Sequence, residues 1–334
     1  MTEAPSFPTR ARVVVIGGGV IGASVAYHLG HMGWSDTVLL ERDRLTSGTT
    51  WHAAGLMVCF GSFSETSTKM RLYTRDLYSR LEAETGQSTG FAPIGFIEAA
   101  GDPGRLEEYR RVSAFNRLMG VEIHEISPSE MAEMFPPART DDLLAGFYVP
   151  QDGRVNPVDV TMALAKGARM QGVTILEGTP ALDVLVKDGR VVGVRTDQGD
   201  IECEYVVNCA GLHADRIARQ YGFSERYRIL PFKGLYLYGD DAGGHFRTNI
   251  YPVPDLRNPF LGVHFTVTVD GHAKIGPTAI PAFWREQYAG LSGFSGRDLV
   301  EIAALQCGLP VSAGFRSEEH TSELQSRQYL VCRL

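Results

Sequence analysis

The feature that most constrains the fold is the glycine-rich stretch at residues 13–22, VVVIGGGVIG. Four β-branched residues indicate a buried parallel strand, and the glycines at positions 17, 19 and 22 form the pattern G-x-G-x-x-G. Apolar spacing over residues 23–32 predicts a helix, and a second apolar run over residues 37–40 ends in Glu41. Strand, glycine turn, helix and second strand together predict a βαβ unit.

Each part of this unit has a physical role in holding a dinucleotide. Gly17 allows the tight turn, Gly19 lets the backbone approach a pyrophosphate, and Gly22 lets the helix pack closely on the strand. The helix N-terminus faces the phosphates with free N–H groups and a partial positive charge. Glu41 can accept hydrogen bonds from a ribose diol, and its charge argues against a 2′-phosphate. The stretch therefore predicts a dinucleotide site, and the alternative is a plain βαβ unit without a nucleotide.

Composition excludes several other classes of protein. The 334 residues are 44% hydrophobic and 21% charged, which is typical of a globular protein with two domains or one large insertion. The net charge of −7 gives no electrostatic reason to expect nucleic-acid binding. No apolar run approaches the roughly 20 residues that span a bilayer, and residues 1–12 do not resemble a secretory signal. Five cysteines without a C-x-x-C pattern predict neither a metal site nor a disulfide framework, so we expect a cytoplasmic protein.

The segment at residues 42–55 follows the second strand and is rich in Ser, Thr and Gly. Its hydroxyl and N–H groups can meet the second phosphate and the far half of a dinucleotide. The alternative interpretation is an ordinary helix cap at Ser47 or Thr49.

These residues resemble a known family. VVVIGGGVIG followed by LLERDRLTSGTTWHAAGL is similar to the flavoprotein superfamily of D-amino-acid, glycine and sarcosine oxidases, and most of all to the dimethylglycine and sarcosine dehydrogenases. The resemblance continues through residues 77–91, 93–102 and 148–173. In those enzymes the histidine of T-W-H-A-A-G-L is bonded covalently to the 8α-methyl group of FAD. The resemblance thus implies FAD as the cofactor, with His52 either covalently attached to it or in non-covalent contact.

The motif and the resemblance together predict a set of FAD contacts that spans the glycine turn, the segment after the second strand, a hairpin strand and the N-C-A-G sequence at 208–211. The predicted contacts are Gly17, Gly19, Val20, Ile21, Gly22, Glu41, Arg42, Ser47, Gly48, Thr49, Thr50, Trp51, His52, Gly55, Ala181, Ala210 and Gly211.

The second half of the chain resembles a different branch of the same superfamily. Residues 210–300, including RILPFKGLY and KIGPTAIPAFWREQY, are similar to the L-2-hydroxyglutarate oxidases. The first half lacks that branch's S-G-V-[IL]-H-[AS]-G segment and has TWHAAGLMVCFGS instead. Two explanations stay open: an unusual natural member, or two genes joined at the shared VVNCAG motif. Residues 316–334 resemble a translated sequencing adapter, RSEEHTSELQS, with RQYLVCRL after it.

The predicted fold class is α/β, a Rossmann-like FAD-binding domain interleaved with an α+β substrate domain of mainly antiparallel sheet. We place the FAD-binding domain at residues 10–90 and 148–222, and the substrate domain at 91–147 and 223–300. We expect residues 301–315 to begin a return segment that is truncated at the C-terminus, and residues 316–334 to be a non-native tail. The turn at Lys187–Gly189 predicts a hairpin, and residues 200–208 predict one strand whose pattern changes from alternating to wholly apolar.

Three residues are predicted as catalytic: His264, Lys233 and Tyr251. Each has a structural alternative, namely a core histidine, a solvated lysine and a packed tyrosine. Tyr236 and Arg285 are further candidates for holding a substrate carboxylate.

Three functions stay open at this point. The first is oxidation of the carbon next to nitrogen in a small N-methylated amino acid. The second is oxidation of L-2-hydroxyglutarate or a related 2-hydroxyacid, and the third is a non-catalytic regulatory protein or inactive fragment. Dioxygen, a quinone or an electron-transfer protein are the alternatives for the electron acceptor.

Overall fold

The computed structural model describes residues 7–240, 247–254 and 262–312. The predicted tail at 316–334 and the last three residues of the predicted return segment at 301–315 lie outside the described residues. The described chain forms two compact units. The first comprises the described part of Met1–Ala53, with Leu81–Thr89 and Pro157–Ile229. The second comprises Ala54–Arg80, Gly90–Asn156 and the described part of Leu230–Leu334.

The two units alternate along the chain at positions that differ from the predicted domain boundaries. Ala54–Arg80 belongs to the second unit, although residues 10–90 were predicted to form one piece of the FAD-binding domain. The chain returns to the first unit at Pro157 and leaves it after Ile229, compared with predicted boundaries at 148 and 222.

The described residues contain seven α-helices and sixteen strands. The helices are α1 (Val20–His31), α2 (Glu65–Thr85), α3 (Pro103–Leu118), α4 (Pro128–Met134), α5 (Pro157–Met170), α6 (Ala214–Gln220) and α7 (Gly296–Ser312), with 3₁₀ turns at Thr49–His52 and Gly211–His213. The strands are β1 (Val13–Ile16), β2 (Thr37–Leu40), β3 (Leu56–Met57), β4 (Phe96–Ala100), β5 (His124–Ile126), β6 (Ala145–Val149), β7 (Gly153–Arg154), β8 (Thr174–Leu176), β9 (Ala181–Lys187), β10 (Arg190–Thr196), β11 (Asp200–Glu202), β12 (Tyr205–Asn208), β13 (Phe232–Asp240), β14 (Asn249–Pro252), β15 (His264–Val267) and β16 (His272–Pro281).

The first unit is built on a parallel sheet in the order β12-β1-β2-β8. Strand β1 lies between β2 and β12 and is fully buried, as its unbroken apolar sequence predicts. Helix α1 begins at Val20 directly after the glycine turn, three residues earlier than the predicted start at 23. The βαβ prediction is therefore confirmed, and with it the Rossmann-like part of the fold class.

The hairpin of the first unit corrects one strand prediction. Strands β9 and β10 pair across the turn at Asp188–Gly189 as predicted, and β11 adds a third antiparallel strand to them. Residues 200–208 are not one strand, because β12 leaves this sheet and pairs in parallel with β1. The change from alternating to apolar sequence marks the place where the chain leaves the antiparallel sheet and joins the parallel sheet as the edge strand β12.

The second unit contains a seven-stranded sheet in the order β13-β16-β15-β14-β4-β6-β5. All of its strand pairs are antiparallel except β14 with β4, so the predicted mainly antiparallel substrate sheet is confirmed. One face of its middle strands is covered by an apolar cluster that includes Phe60, Tyr109 and Phe147, and the other by a cluster around Met131 and Phe135. Strand β4 is buried along its whole length between the two clusters.

Two features are absent from the described part of the chain. None of its helices combines the length and apolar character that crossing a bilayer demands. Among the same residues, no group of three or more His, Cys, Asp and Glu side chains is arranged to hold a metal ion.

Candidate functional site

The glycine turn of the first unit leaves no room for side chains. Gly17 has a φ of 112°, and a Cβ on it would lie 2.3 Å from the carbonyl oxygen of Cys209. A Cβ on Gly22 would lie 1.8 Å from the carbonyl oxygen of Gly17. Because both distances are far below any van der Waals contact, the chain folds this way only with glycine at these positions.

Glu41 is held against the same turn. Its Oε2 accepts a hydrogen bond of 2.7 Å from the N–H of Gly18, and its Oε1 accepts one of 2.9 Å from the N–H of Asp43. The side chain is 9% exposed, and each carboxylate oxygen keeps a second lone pair for a further donor. The acid at the end of β2 therefore lies beside the glycine turn, where a ribose diol would meet it.

The segment after β2 approaches the N-terminus of α1. The hydroxyl of Thr50 accepts a hydrogen bond of 3.0 Å from the N–H of Val20, the first residue of the helix. Thr50 is buried within the 3₁₀ turn Thr49–His52, which ends at His52. The rings of Trp51 and His52 lie 3.7 Å apart, with Trp51 55% exposed and Nε2 of His52 buried. The hydrogen bond from Val20 to Thr50 fixes the T-T-W-H sequence next to the glycine turn. The residue that accepts it is Thr50, whereas the alternative interpretation of this segment was a helix cap at Ser47 or Thr49.

The other predicted FAD contacts occupy several environments. Gly19 lies near Thr50, since a Cβ on it would be 3.1 Å from the Thr50 hydroxyl. Ile21, Arg42, Ser47 and Gly211 are exposed, Gly48, Thr49 and Ala210 are half-buried, and Ala181 packs at the edge of the apolar cluster behind the parallel sheet. Gly55 belongs to the second unit, where its carbonyl oxygen accepts from the N–H of Val155 at 2.8 Å. The FAD-binding roles of these residues stay predictions.

Sequence reasoning missed two residues of the turn. A Cβ on Gly18 would lie 2.7 Å from the Leu45 side chain and 2.8 Å from Glu41 Cβ, so this glycine is needed as much as its neighbours. The N–H of Thr46, which has a φ of 72°, donates to the carbonyl of Gly18 at 3.0 Å. The signal available for Gly18 was its place as the middle one of three consecutive glycines in I-G-G-G-V.

The turn fits the adenosine diphosphate half of FAD. Three glycines whose Cα atoms lie against backbone or the Thr50 hydroxyl provide a surface that a pyrophosphate can approach, at the positive end of α1. The carboxylate of Glu41 supplies the hydrogen-bond acceptor for the ribose. FAD is thus a group that the residues present in the first unit can hold.

The second unit brings two of the three predicted catalytic residues together. Tyr251 on β14 and His264 on β15 are buried, with ring centroids 5.3 Å apart. The Tyr236 hydroxyl lies 3.5 Å from Nε2 of His264, and Nδ1 of His264 lies 3.1 Å from the Gly262 carbonyl. A carbonyl can only accept, so Nδ1 carries a proton and Nε2 of the neutral ring is an acceptor. Lys233 lies half-buried on the outer strand β13, opposite Ile280.

Arg285 is not placed to hold a substrate. Its side chain is completely buried, and its guanidinium forms an ion pair of 3.3 Å with Glu301 of α7. Its backbone N–H donates to Asp298 at 3.1 Å. Arg285 therefore ties α7 to the end of the sheet, which corrects its interpretation as a carboxylate clamp.

Two buried carboxyl groups of the second unit were missed by sequence reasoning. Burial raises the pKa of Glu98 on β4 to about 7, while the hydrogen bond from Tyr109 lowers it. Burial also raises the pKa of Asp152 to about 6, against the lowering effect of its hydrogen bonds from Cys59. In the sequence, Glu98 is one acid in the apolar strand F-I-E-A-A, a weak signal that becomes strong only when the strand is known to be central.

Comparison with known proteins identifies the family. The profile of DAO, described as FAD dependent oxidoreductase, matches residues 12–306, which include the glycine turn, Glu41 and both halves of the chain. The chain belongs to this family. FAD is its cofactor, and the match runs across residue 210, so the two halves belong to one family even though they resemble different branches.

Three relatives illustrate the range within the family. The mitochondrial pyruvate dehydrogenase phosphatase regulatory subunit of Mus musculus is 44% identical over 206 residues, which cover 62% of this chain and 23% of that protein. The mitochondrial sarcosine dehydrogenase of Homo sapiens is 36% identical over 294 residues, 86% of this chain and 31% of that protein. The mitochondrial L-2-hydroxyglutarate dehydrogenase of Bos taurus is 31% identical over 310 residues, 87% of this chain and 65% of that protein. The chain spans less than two thirds of the length of each.

Proposed function

We propose that this chain is the FAD-binding part of an enzyme that oxidises the carbon next to nitrogen in a small N-methylated amino acid. Sarcosine and dimethylglycine define the substrate class. When bound, FAD supplies the chemistry by accepting a hydride from that carbon. The proposal is the same whether dioxygen, a quinone or an electron-transfer protein accepts the electrons. It also does not depend on the cytoplasmic location expected from composition.

The observation that carries the proposal is the place of the T-T-W-H-A-A-G-L segment. Thr50 is hydrogen-bonded to the first residue of α1, so His52 follows two residues after a group fixed to the phosphate end of the dinucleotide site. Among the branches that the chain resembles, this segment is typical of the dimethylglycine and sarcosine dehydrogenases. The identity to sarcosine dehydrogenase over 86% of the chain supports the same choice.

The residues of this chain have separate tasks in the proposed reaction. The glycine turn and Glu41 bind the adenosine diphosphate half of the cofactor, and His52 holds the flavin ring, by a covalent bond in the stronger form of the proposal. His264 accepts a proton at Nε2, because an amine releases hydride only when it is neutral. A small carboxylate-bearing substrate also requires a cation or hydroxyl groups to hold it.

A second candidate is supported by the other half of the chain. Residues 210–300 resemble the L-2-hydroxyglutarate oxidases, and the bovine dehydrogenase matches 87% of the chain. An alcohol donor needs a base for its proton, and the buried His264 with its acceptor nitrogen suits that task equally well. A third candidate, a non-catalytic regulatory role, has support from the relative at 44% identity.

The deciding experiment uses the full 334-residue chain with FAD. Under anaerobic conditions, the flavin absorbance is followed after separate additions of sarcosine, dimethylglycine and L-2-hydroxyglutarate. Bleaching by the two amines alone is the expected result. Bleaching by L-2-hydroxyglutarate alone would replace the amine proposal with the second candidate, and no bleaching would favour the third.

The role of His52 is tested separately on denatured protein. Wild-type chain precipitated with acid should retain yellow colour, whereas His52→Ala should lose it while still folding. His124→Ala, which changes an exposed histidine of the second unit, is the matched control and should retain the flavin. Colour lost equally from all three proteins would remove the covalent form of the proposal.

A further inference from the structure

A row of polar side chains runs across the sheet of the second unit at the level of the predicted catalytic residues. Strand register places Tyr251 beside Glu98, and the pairing of Ile250 with Phe265 places Tyr251 beside His264. Since residues that are level with each other on adjacent strands share a face, these side chains lie on one side of the sheet. The Tyr236 hydroxyl extends the row from the other side of His264.

Burial of the Glu98 carboxyl group costs free energy, which indicates that the residue has a function. The residue is 5% exposed, and its Oε2 has no hydrogen-bond partner among the described residues. A Cβ on Gly61 would lie 3.2 Å from its Oε1, so the loop after β3 lies directly over the carboxyl group. A glutamine or a hydrophobic residue would fill the same volume without the desolvation penalty of a carboxylate.

Several ionisable groups face Glu98 from the surrounding elements, and their balance matters for its charge. The contributing groups are Arg71 of α2, Arg105 and Tyr109 of α3, Asp152 after β6 and, next to it on β14, Tyr251. Arg71 and Arg105 are directed elsewhere, since Arg71 donates to the Phe60 carbonyl and Arg105 pairs with Glu108. Desolvation is the largest effect and raises the pKa of Glu98 to about 7, so the group can gain and lose a proton near neutrality.

We propose that Glu98 is a positioning residue whose ionised carboxylate, in the same row as Tyr251 and His264, favours the transfer to His264 of the proton that the substrate loses before it is oxidised. This inference rests on the proposed function, because it requires a substrate with an ammonium or hydroxyl proton. It adds a residue that the motifs of the family did not indicate and that does not touch the substrate itself.

The proton transfer balances without any additional reactant. A substrate N–H bond breaks and its electron pair stays on nitrogen, which leaves the neutral amine that can release hydride. The proton passes to Nε2 of His264, which becomes an imidazolium while Nδ1–H still donates to the Gly262 carbonyl, and the negative charge of Glu98 stabilises that cation. Nothing is oxidised or reduced in this step.

The first test is the pH profile of flavin reduction by the substrate that bleaches the wild-type protein. The rate constant should rise with pH through about 7, because only the ionised Glu98 stabilises the protonated His264. Glu98→Gln should remove that rise and lower the rate constant by roughly tenfold to a hundredfold, which is less than the roughly hundredfold to ten-thousandfold contribution of a residue that itself accepts the proton. The concentration of substrate that gives half the maximal rate should change by less than about twofold, since no substrate contact is removed. An unchanged profile and rate in Glu98→Gln would overturn the inference.

A second variant protects the test against misfolding. Tyr109→Phe removes a hydrogen bond that lowers the pKa of Glu98, so the rise should move to higher pH. Glu125→Gln is the matched control, because this exposed acid lies at the outer edge of the same sheet and pairs with Arg110. Its profile should match the wild type, and a Tyr109→Phe profile that also matches would contradict the inference.

Infrared spectroscopy separates this inference from the proposed function. Titration of the wild-type protein should show a carboxylic-acid C=O band that disappears near pH 7 and is absent in Glu98→Gln. If no substrate bleaches the flavin, the proposed function fails regardless of this band. If the band is missing while substrates do bleach the flavin, the function stands and the role of Glu98 is overturned.

Discussion

The glycine turn of the first unit and the polar row of the second unit are assembled in opposite ways. The turn is built from residues close in sequence, with Gly17, Gly22 and Glu41 all within 25 positions. The row joins residues that strand pairing brings together from positions 98 to 264. The turn is constrained by backbone geometry, whereas the row is constrained by burial of ionisable side chains. We therefore expect substitutions in the turn to change stability and FAD binding through steric fit. Substitutions among the buried ionisable groups of the second unit should instead change how its properties depend on pH.

The largest expected effect comes from Gly22→Ala. Alanine usually stabilises a helix relative to glycine by about 1 kcal/mol. Here its Cβ would lie 1.8 Å from the carbonyl oxygen of Gly17, so we expect destabilisation of about 3 kcal/mol or more and loss of FAD binding. Urea unfolding and FAD titration measure both effects.

Gly296→Ala is the matched control for that substitution. It also lies at the start of a helix, but no atom is within 4 Å of the position that an added Cβ would occupy, so its stability should not fall. Equal stability of the two variants would show that the close contact at the glycine turn does not constrain the fold.

The second effect is a pH dependence of stability that Asp152 gives to the second unit. Because its pKa rises from 3.8 to about 6 on folding, the folded state binds more protons than the unfolded state between these values. Its contribution is most favourable below pH 4 and is lost as the pH rises through 6, by up to about 3 kcal/mol. Asp152→Asn stays neutral, so the fall in free energy of unfolding between pH 4 and 6.5 should shrink.

The control for this pH effect is Asp141→Asn, since Asp141 is exposed and pairs with Arg139 on the surface. Its pH dependence should follow the wild type. If Asp152→Asn shows the full wild-type fall, then burial of this carboxyl is not the source of the pH dependence.

Removing the charge of Glu41 should have an intermediate effect. Glu41→Gln weakens two hydrogen bonds from backbone N–H groups and the acceptor offered to the ribose. Loss of charge-assisted bonds of this kind costs about 2 kcal/mol, or roughly thirtyfold in FAD affinity. Fluorescence titration measures it against Glu204→Gln, a surface acid of the same unit. Equal affinities would remove Glu41 from the binding site.

The smallest effect should come from Thr50→Val. This change keeps the shape of a buried side chain but removes the acceptor for the N–H of Val20. We expect destabilisation of about 1 kcal/mol, as for the loss of a helix N-terminal acceptor. Thr50→Ser keeps the hydroxyl and should lose less, and a larger loss in Thr50→Ser than in Thr50→Val would contradict the role of this bond.

The same contrast explains what the sequence could predict. The βαβ unit, the hairpin and the place of Glu41 are local, so motif and periodicity predicted them correctly. The break within residues 200–208 was missed, because a change of sheet partner depends on where β1 lies. Glu98 was missed for a related reason: one acid in a short apolar strand gains meaning only when helix α3 and the loop at Gly61 close over it. Arg285 was predicted to hold a substrate carboxylate, because the sequence does not show that folding buries it in an ion pair with Glu301 of α7.

The most direct test of the central claim asks which half of the cofactor the first unit holds. FAD-free chain is titrated with FAD in the presence of either ADP or FMN, and the Glu41→Gln variant is treated in the same way. If the glycine turn and Glu41 grip the adenosine diphosphate half, ADP competes with FAD, FMN competes poorly, and Glu41→Gln weakens the binding of both FAD and ADP. Competition by FMN alone, with FAD affinity unchanged in Glu41→Gln, would contradict the claim.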